Sequence, residues 1–212
     1  MNDRADLINY LIDTYKYESY LEIGLDDGAN YRKIQCKGKE SVDPYLEENH
    51  DRWDLRLNGE LPYEIAQMLT YRMTSDEFFK QNRKKYDLVF IDGLHTKEQV
   101  WKDIMNSIQA ISDNGLIVVH DCLPRSYEAQ LVPRTQAEWN GDVWRTMVEL
   151  TRQGLDISVW DKDYGVGIIR KPKDFKEQSI PKFTGCTWEE FSSNRDKYLK
   201  IIDTRTLKNI YK

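Results

Sequence analysis

Apolar positions along this chain follow two patterns, a helical recurrence every three to four residues and short unbroken runs. Leu7, Ile8, Leu11 and Ile12 recur at helical spacing and predict an amphipathic helix over Asp6–Tyr15. Ser19–Ile23 predicts a strand that ends in Glu22-Ile23-Gly24-Leu25-Asp26-Asp27-Gly28, after which Ala29–Gln35 begins a helix. Glu40–Val42 predicts a second strand ending at Asp43-Pro44, Tyr63–Leu69 a helix, and Tyr71–Thr74 a third strand, with Ser75-Asp76-Glu77 capping and starting another helix. Leu88-Val89-Phe90-Ile91 and Leu116–Val119 are continuous apolar runs, too short and too rich in β-favouring residues for surface helices. They predict strands buried on both faces of a parallel sheet. Between them, Val100, Ile104, Ile108 and Ile111 mark one face of a helix over Lys97–Ile111, and Asn114-Gly115 marks a turn.

Leu123–Gly141 contains Pro124 and Pro133 and has little periodicity, which in a compact domain reads as a substrate loop. Val143–Arg152 predicts a helix, and Leu155–Trp160 with Val166–Arg170 a hairpin around Lys162-Asp163-Tyr164-Gly165. After Pro172 the pattern weakens to a polar tail with one helix across Trp188–Ile202. Strands alternating with helices up to Arg152 predict an α/β, doubly wound parallel sheet over residues 1–172, with residues 173–212 as an extension packed on the same domain.

The 212 residues fit one domain, and 31 basic against 36 acidic residues leave a formal charge of −5. That balance argues against a partner held by phosphate neutralisation, and so against nucleic acid. The cluster Lys80-Gln81-Asn82-Arg83-Lys84-Lys85 reads as cations at a helix C-terminus. Cys36, Cys122 and Cys186 are widely separated without a C-x-x-C pair, so neither a disulfide framework nor a thiolate metal site is expected. The charged, amphipathic start is unlike a signal sequence, and no apolar run nears spanning length. A cytoplasmic protein with no membrane span is the expectation, and a homodimer is left open.

Glycines in Glu22-x-Gly24-x-x-x-Gly28 let a backbone pass close to a ligand. Asp26 replaces the second glycine of a dinucleotide fingerprint, and an acidic turn suits a cationic or zwitterionic ligand. Asp43, ending its strand, is placed to take ribose hydroxyls. Asp92 and His95 follow the buried run at the carboxyl edge of the sheet, where open α/β folds bind ligands. Taken singly, Asp92 reads as a helix cap and His95 as a first-turn residue; their shared edge favours chemistry. His50 reads as a solvated loop residue. Arg125, Tyr127, Arg134, Trp139 and Trp144 lie in or beside the irregular loop, where aromatic faces and planar donors suit a sugar or planar substrate. Trp144 reads equally as core, and Trp53, Trp101 and Trp188 as packing.

The segments EIGLDDG, VDP, DLVFIDGLHTKEQVWKDI and GLIVVHDC, in this order, resemble the class I S-adenosylmethionine-dependent methyltransferases, in particular the small-molecule and sugar O-methyltransferase branch. The resemblance covers Tyr20–Arg170, with IDGLH as its most specific part. It implies a Rossmann-like, seven-stranded sheet with the last strand antiparallel. It also implies S-adenosyl-L-methionine as cofactor, with Glu22, Gly24 and Gly28 around the methionine part, Asp43 on the ribose, and Ser75 and Asp76 near the adenine. Relatives of the catechol and macrolide-sugar kind hold a divalent cation at positions matching Asp92 and Asp121, with His95 then as general base. Cys122 stands where those relatives often supply another oxygen, and a thiol is a poor ligand for Mg²⁺. His120 would compensate and favour a Mn²⁺-like ion, although strand alternation sets it on the opposite face from Asp121; a metal-free enzyme is the alternative.

The function expected is O-methylation of a small-molecule hydroxyl, a sugar of a glycan or glycoconjugate above others. The rival readings are a nicotinamide-dependent nucleotide-sugar oxidoreductase or epimerase and a non-catalytic module of a larger glycan-synthesis protein. The missing second glycine and the lack of a Tyr-x-x-x-Lys pair count against the former.

Overall fold

In the computed structural model, which describes residues 1–44, 63–174 and 179–212, a mixed sheet forms the centre of the molecule. His50 and Trp53 lie outside the described residues. The strands are β1 (Ser19–Ile23), β2 (Gly38–Val42), β3 (Tyr86–Ile91), β4 (Ile111–Val119), β5 (Ile157–Trp160), β6 (Val166–Arg170) and β7 (Ile201–Ile202), in the order β2-β1-β3-β4-β6-β5-β7. All neighbours are parallel except β6, which runs antiparallel to both β4 and β5.

Alternation along the strands divides the core into two layers. Leu88, Phe90, Leu116 and Val118 face α1 (Arg4–Tyr15) and α8 (Thr204–Ile210), which contribute Leu7, Ile8, Leu11 and Leu207. Val89, Ile91, Ile117 and Val119 face α5 (Lys97–Ala110) and α6 (Val143–Arg152), which contribute Trp101, Ile104, Trp144 and Met147. Such two-sided burial explains why β3 and the second half of β4 read as unbroken apolar runs. The remaining helices are α2 (Ala29–Lys33), α3 (Tyr63–Met68), α4 (Ser75–Gln81) and α7 (Trp188–Ser193). Thr74, not Ser75, caps α4, in a reciprocal arrangement with Glu77.

Three expectations change. Among the described residues Tyr71–Thr74 forms no strand; Tyr71 makes an isolated bridge to Val42. Asn114-Gly115 does not separate helix from strand but sits in a bulge of β4, between the pairs Tyr86↔Ile111 and Leu88↔Leu116, where Tyr17 Oη donates to Asn114 O. The tail is not one helix. Asn194, at φ −154°, ends α7, and the chain then supplies β7 to the open edge of β5, with Val159 N donating to Lys200 O. Trp188 and Phe191 of this tail pack against Trp144. None of Cys36, Cys122 and Cys186 is in a disulfide. Among the described residues no helix is long and apolar enough to cross a membrane.

Candidate active site

At the carboxyl edge the ladder continues one residue past each strand: Gly24 N donates to Val42 O, Asp92 N to Ile23 O and His120 N to Ile91 O. The loops after β1, β3 and β4 therefore leave the sheet at one level. Gly24, at φ +89°, packs so closely there that a Cβ would lie 2.1 Å from the Asp92 carbonyl oxygen. Gly28, at φ +71°, precedes α2 against the Met68 side chain.

A cavity of about 770 Å³ opens along this edge. One end holds Ser75, Asp76, Gln99 and Asp103, with Gln99 Nε2 donating to Ser75 Oγ (3.2 Å), Asp76 Oδ1 (3.0 Å) and Asp103 Oδ1 (3.1 Å). Burial pushes the Asp103 carboxyl up to about 6. Midway, Asp43 Oδ2 accepts from Leu25 N (2.9 Å) and Asp26 N (3.2 Å), so the carboxylate holds the acidic turn. Toward the other end Glu22 is buried, accepting from Tyr20 Oη (2.5 Å) and Asn30 Nδ2 (3.0 Å), and burial pushes it up to about 7.

That end meets a polar cluster built from five segments. Asp92 Oδ1 lies 3.4 Å from His95 Nε2 and 3.2 Å from His120 Nδ1, and Asp121 Oδ2 lies 3.2 Å from His95 Nδ1 and 3.3 Å from His120 Nδ1. Arg4 Nε approaches Asp92 Oδ2 at 3.4 Å, and His120 Nε2 approaches Asp163 Oδ1 at 3.6 Å. Burial opposes charge on Asp92, yet His120, His95 and Arg4 hold its carboxyl well below the usual range. Burial likewise opposes the imidazolium of His95 and of His120, but the surrounding carboxylates outweigh it and raise both.

His120 reaches the cluster beside Asp121, against the strand alternation. Asp121 adopts φ +63°, a left-handed backbone that breaks the alternation and turns both side chains to one side. Cys122 instead points inward, its thiol buried beside Val119 O and pushed up to about 12, so it offers nothing to the cluster. Asn140, from the end of the irregular loop, donates to Asp121 Oδ1 at 2.5 Å, while its own Oδ1 is buried without a partner. Asp92, His95 and Asp121 each offer a donor atom, all within 4.8 Å of one another, a set that fits a divalent cation.

The loop residues divide. Trp139 lines the cavity and stacks on His95, with centroids 5.0 Å apart, and Arg134 lines it nearby. Tyr127 is exposed and edges Trp188, and Arg125 lies over the Tyr164 ring; neither lines the cavity. Trp144 corrects to core: it is fully buried on α6, stacked on Phe191, so no acceptor can touch it.

Sequence reasoning passed over Arg4, Asn30, Gln99, Asp103, Asn140 and Asp163. One signal was present for Asp163. An antiparallel strand that follows a parallel one through a tight turn must place that turn at the carboxyl edge, where the site lies. The turn has Asp163 at φ +48° and Tyr164 at φ +60°, closed by Gly165 N to Lys162 O.

The protein-family profile described as a methyltransferase domain matches residues 21–122. No curated protein sequence matches the chain. Among solved structures, the Podospora anserina methyltransferase PaMTH1, determined with S-adenosylhomocysteine, is similar at a TM-score of 0.56 and 17% identity, over 82% of this chain and 80% of that one. The O-methyltransferase TomG of Streptomyces achromogenes, involved in tomaymycin synthesis and determined with S-adenosylmethionine, gives 0.52 and 14%, over 79% of each chain. An O-methyltransferase of Bacillus cereus in complex with S-adenosylhomocysteine gives 0.50 and 14%, over 79% and 80%. The mixed sheet with one antiparallel strand is the class I methyltransferase arrangement that these neighbours share.

Proposed function

We propose that this chain, which carries a methyltransferase domain and has the class I methyltransferase fold, moves the methyl group of S-adenosylmethionine to a hydroxyl oxygen of a small acceptor, a sugar of a glycan or glycoconjugate. The observation that carries this reading is the continuity of the acidic cavity with the Asp92–His95–Asp121 cluster. The cofactor is cationic at sulfur and nitrogen, and Asp26, Asp27, Asp43, Asp76 and Asp92 line the space it would fill. Ser75 and Asp76 receive the adenine, Asp43 the ribose, and Glu22 and the Gly24 turn the methionine part, with Gly28 shaping that turn.

The acceptor oxygen attacks the methyl carbon in line as the sulfur–carbon bond breaks, leaving S-adenosylhomocysteine. Much of the acceleration comes from alignment of the hydroxyl with that methyl. His95 takes the hydroxyl proton, and carboxylates facing both of its nitrogens stabilise the resulting imidazolium. A divalent cation would supply a lowered hydroxyl pKa and a fixed oxygen; Asp92 and Asp121 would hold it, with His120, whose Nδ1 lies 3.2 and 3.3 Å from their carboxylates, as the third donor in place of His95, which acts as the base. A nitrogen donor there favours Mn²⁺ over Mg²⁺. Trp139 and Arg134 present an aromatic face and a planar donor beside His95, which suits a sugar ring. Arg125 and Tyr127 lie further along the same loop, where a longer acceptor would extend.

Mass spectrometry of a sugar and phenol panel incubated with methyl-labelled S-adenosylmethionine, with and without a chelator, tests the reading. Label on a sugar hydroxyl is the expected product, with loss of transfer in chelator. Label on phenols alone would replace the sugar, and calorimetric binding of NAD without S-adenosylmethionine would sink the whole reading.

A further inference from the structure

The amino-acid end of the cofactor carries an ammonium and a carboxylate, so its receptor needs both signs of charge within a few ångströms. The cavity lining is dominated by acids, and the guanidinium groups among the described lining residues are those of Arg4 and Arg134. Arg134 lies on the Trp139 side, where its Nε and Nη2 donate to the carbonyls of Gln136 and Ala137 in its own loop. Arg4 lies beside Asp92, its Nε 3.4 Å from that carboxylate and its charge acting on Glu22.

Arg4 is also held in place. Its backbone N donates to Asp163 Oδ2 at 2.7 Å and its Nη1 to the same oxygen at 3.2 Å, so the first residue of α1 is pinned to the hairpin tip. Its Nε, by contrast, is buried with the Asp92 carboxylate 3.4 Å away as an ion pair but makes no hydrogen bond among the described residues. A buried N–H left without a hydrogen bond is costly, and a guanidinium presents its donors in a fork that matches a carboxylate. We infer that Arg4 is the receptor for the α-carboxylate of S-adenosylmethionine, with Asp163 as the residue that positions its guanidinium. The assignment rests on the cofactor reading above.

Calorimetry with S-adenosylmethionine and its decarboxylated analogue, which lacks only that carboxylate, tests it on the parent, Arg4→Gln and Arg4→Lys. The parent is expected to prefer the intact cofactor by about ten- to a hundredfold, the range of one charge-assisted hydrogen bond. Arg4→Gln is expected to lose that preference while binding the analogue as the parent does, and Arg4→Lys to retain part of it. An undiminished preference in Arg4→Gln, or equal weakening toward both compounds in both variants, overturns the assignment alone. A parent that binds neither compound overturns the assignment together with the cofactor reading.

Discussion

Asp121 holds a left-handed backbone, φ +63°, directly after the apolar end of β4. Aspartate tolerates that region better than branched residues, for which it costs about 1–3 kcal/mol. Asp121→Val is therefore expected to be less stable than Asp121→Asn by about that amount, read as a lower denaturant midpoint at unchanged slope. Chemistry is tested separately: Asp92→Asn and His95→Ala are expected to slow methyl transfer by about 10²–10⁴-fold, and parent-like rates would remove both roles. Asp103 makes a pH prediction. Its carboxyl, displaced from 3.8 to about 6, keeps its proton longer in the folded chain than in the unfolded one. The folded state thus binds more protons between those values, so stability falls as pH rises through that window and is level above it. Asp103→Asn abolishes the fall, and its melting temperature relative to the parent is expected to climb between about pH 4 and 6, the whole difference amounting to at most about 3 kcal/mol.

At the level of elements, a Cβ on Gly24 would strike the backbone of Asp92, which no rotamer can relieve. Gly24→Ala is expected to push the β1 and β3 loops apart and to weaken S-adenosylhomocysteine binding more than it lowers stability, as calorimetry and melting would show together. Phe191→Ala empties the stack against Trp144 and is expected to cost about 3–5 kcal/mol without touching the cavity. These elements also differ in how readily the sequence revealed them. β1, β3 and α6 were legible because burial forces their apolar pattern, and Gly24, Asp43, Asp92 and Asp121 were legible because they stand at strand ends. Tyr71 carries β-favouring chemistry but among the described residues makes an isolated bridge to Val42, and Ile201-Ile202 becomes a strand because β5 has an open edge; neither fact is local. Arg4, Asn140 and Asp163 come from a helix start, a loop end and a hairpin tip, and only tertiary packing gathers them. Trp144 shows the converse: an aromatic beside a functional loop turned inward because α6 must cover the sheet.

On the scale of the whole molecule, a ligand that binds only the folded chain raises its melting temperature by mass action. S-Adenosylhomocysteine at a hundred times its dissociation constant adds about 2.7 kcal/mol, which for a chain of this size is a rise of about 5–10 °C. NAD at equal concentration is expected to leave the melting temperature in place, and the opposite pattern would contradict the cofactor assignment. The bond between Arg4 and Asp163 spans 159 positions of the chain. Contacts of such separation close large loops and form late in folding. During synthesis the N-terminal helix and the first strands leave the ribosome long before the hairpin tip that completes their polar cluster. A nascent chain thus has the Gly24 turn and Asp43 early but gains the finished polar cluster only once Asp163, 159 positions after Arg4, has emerged.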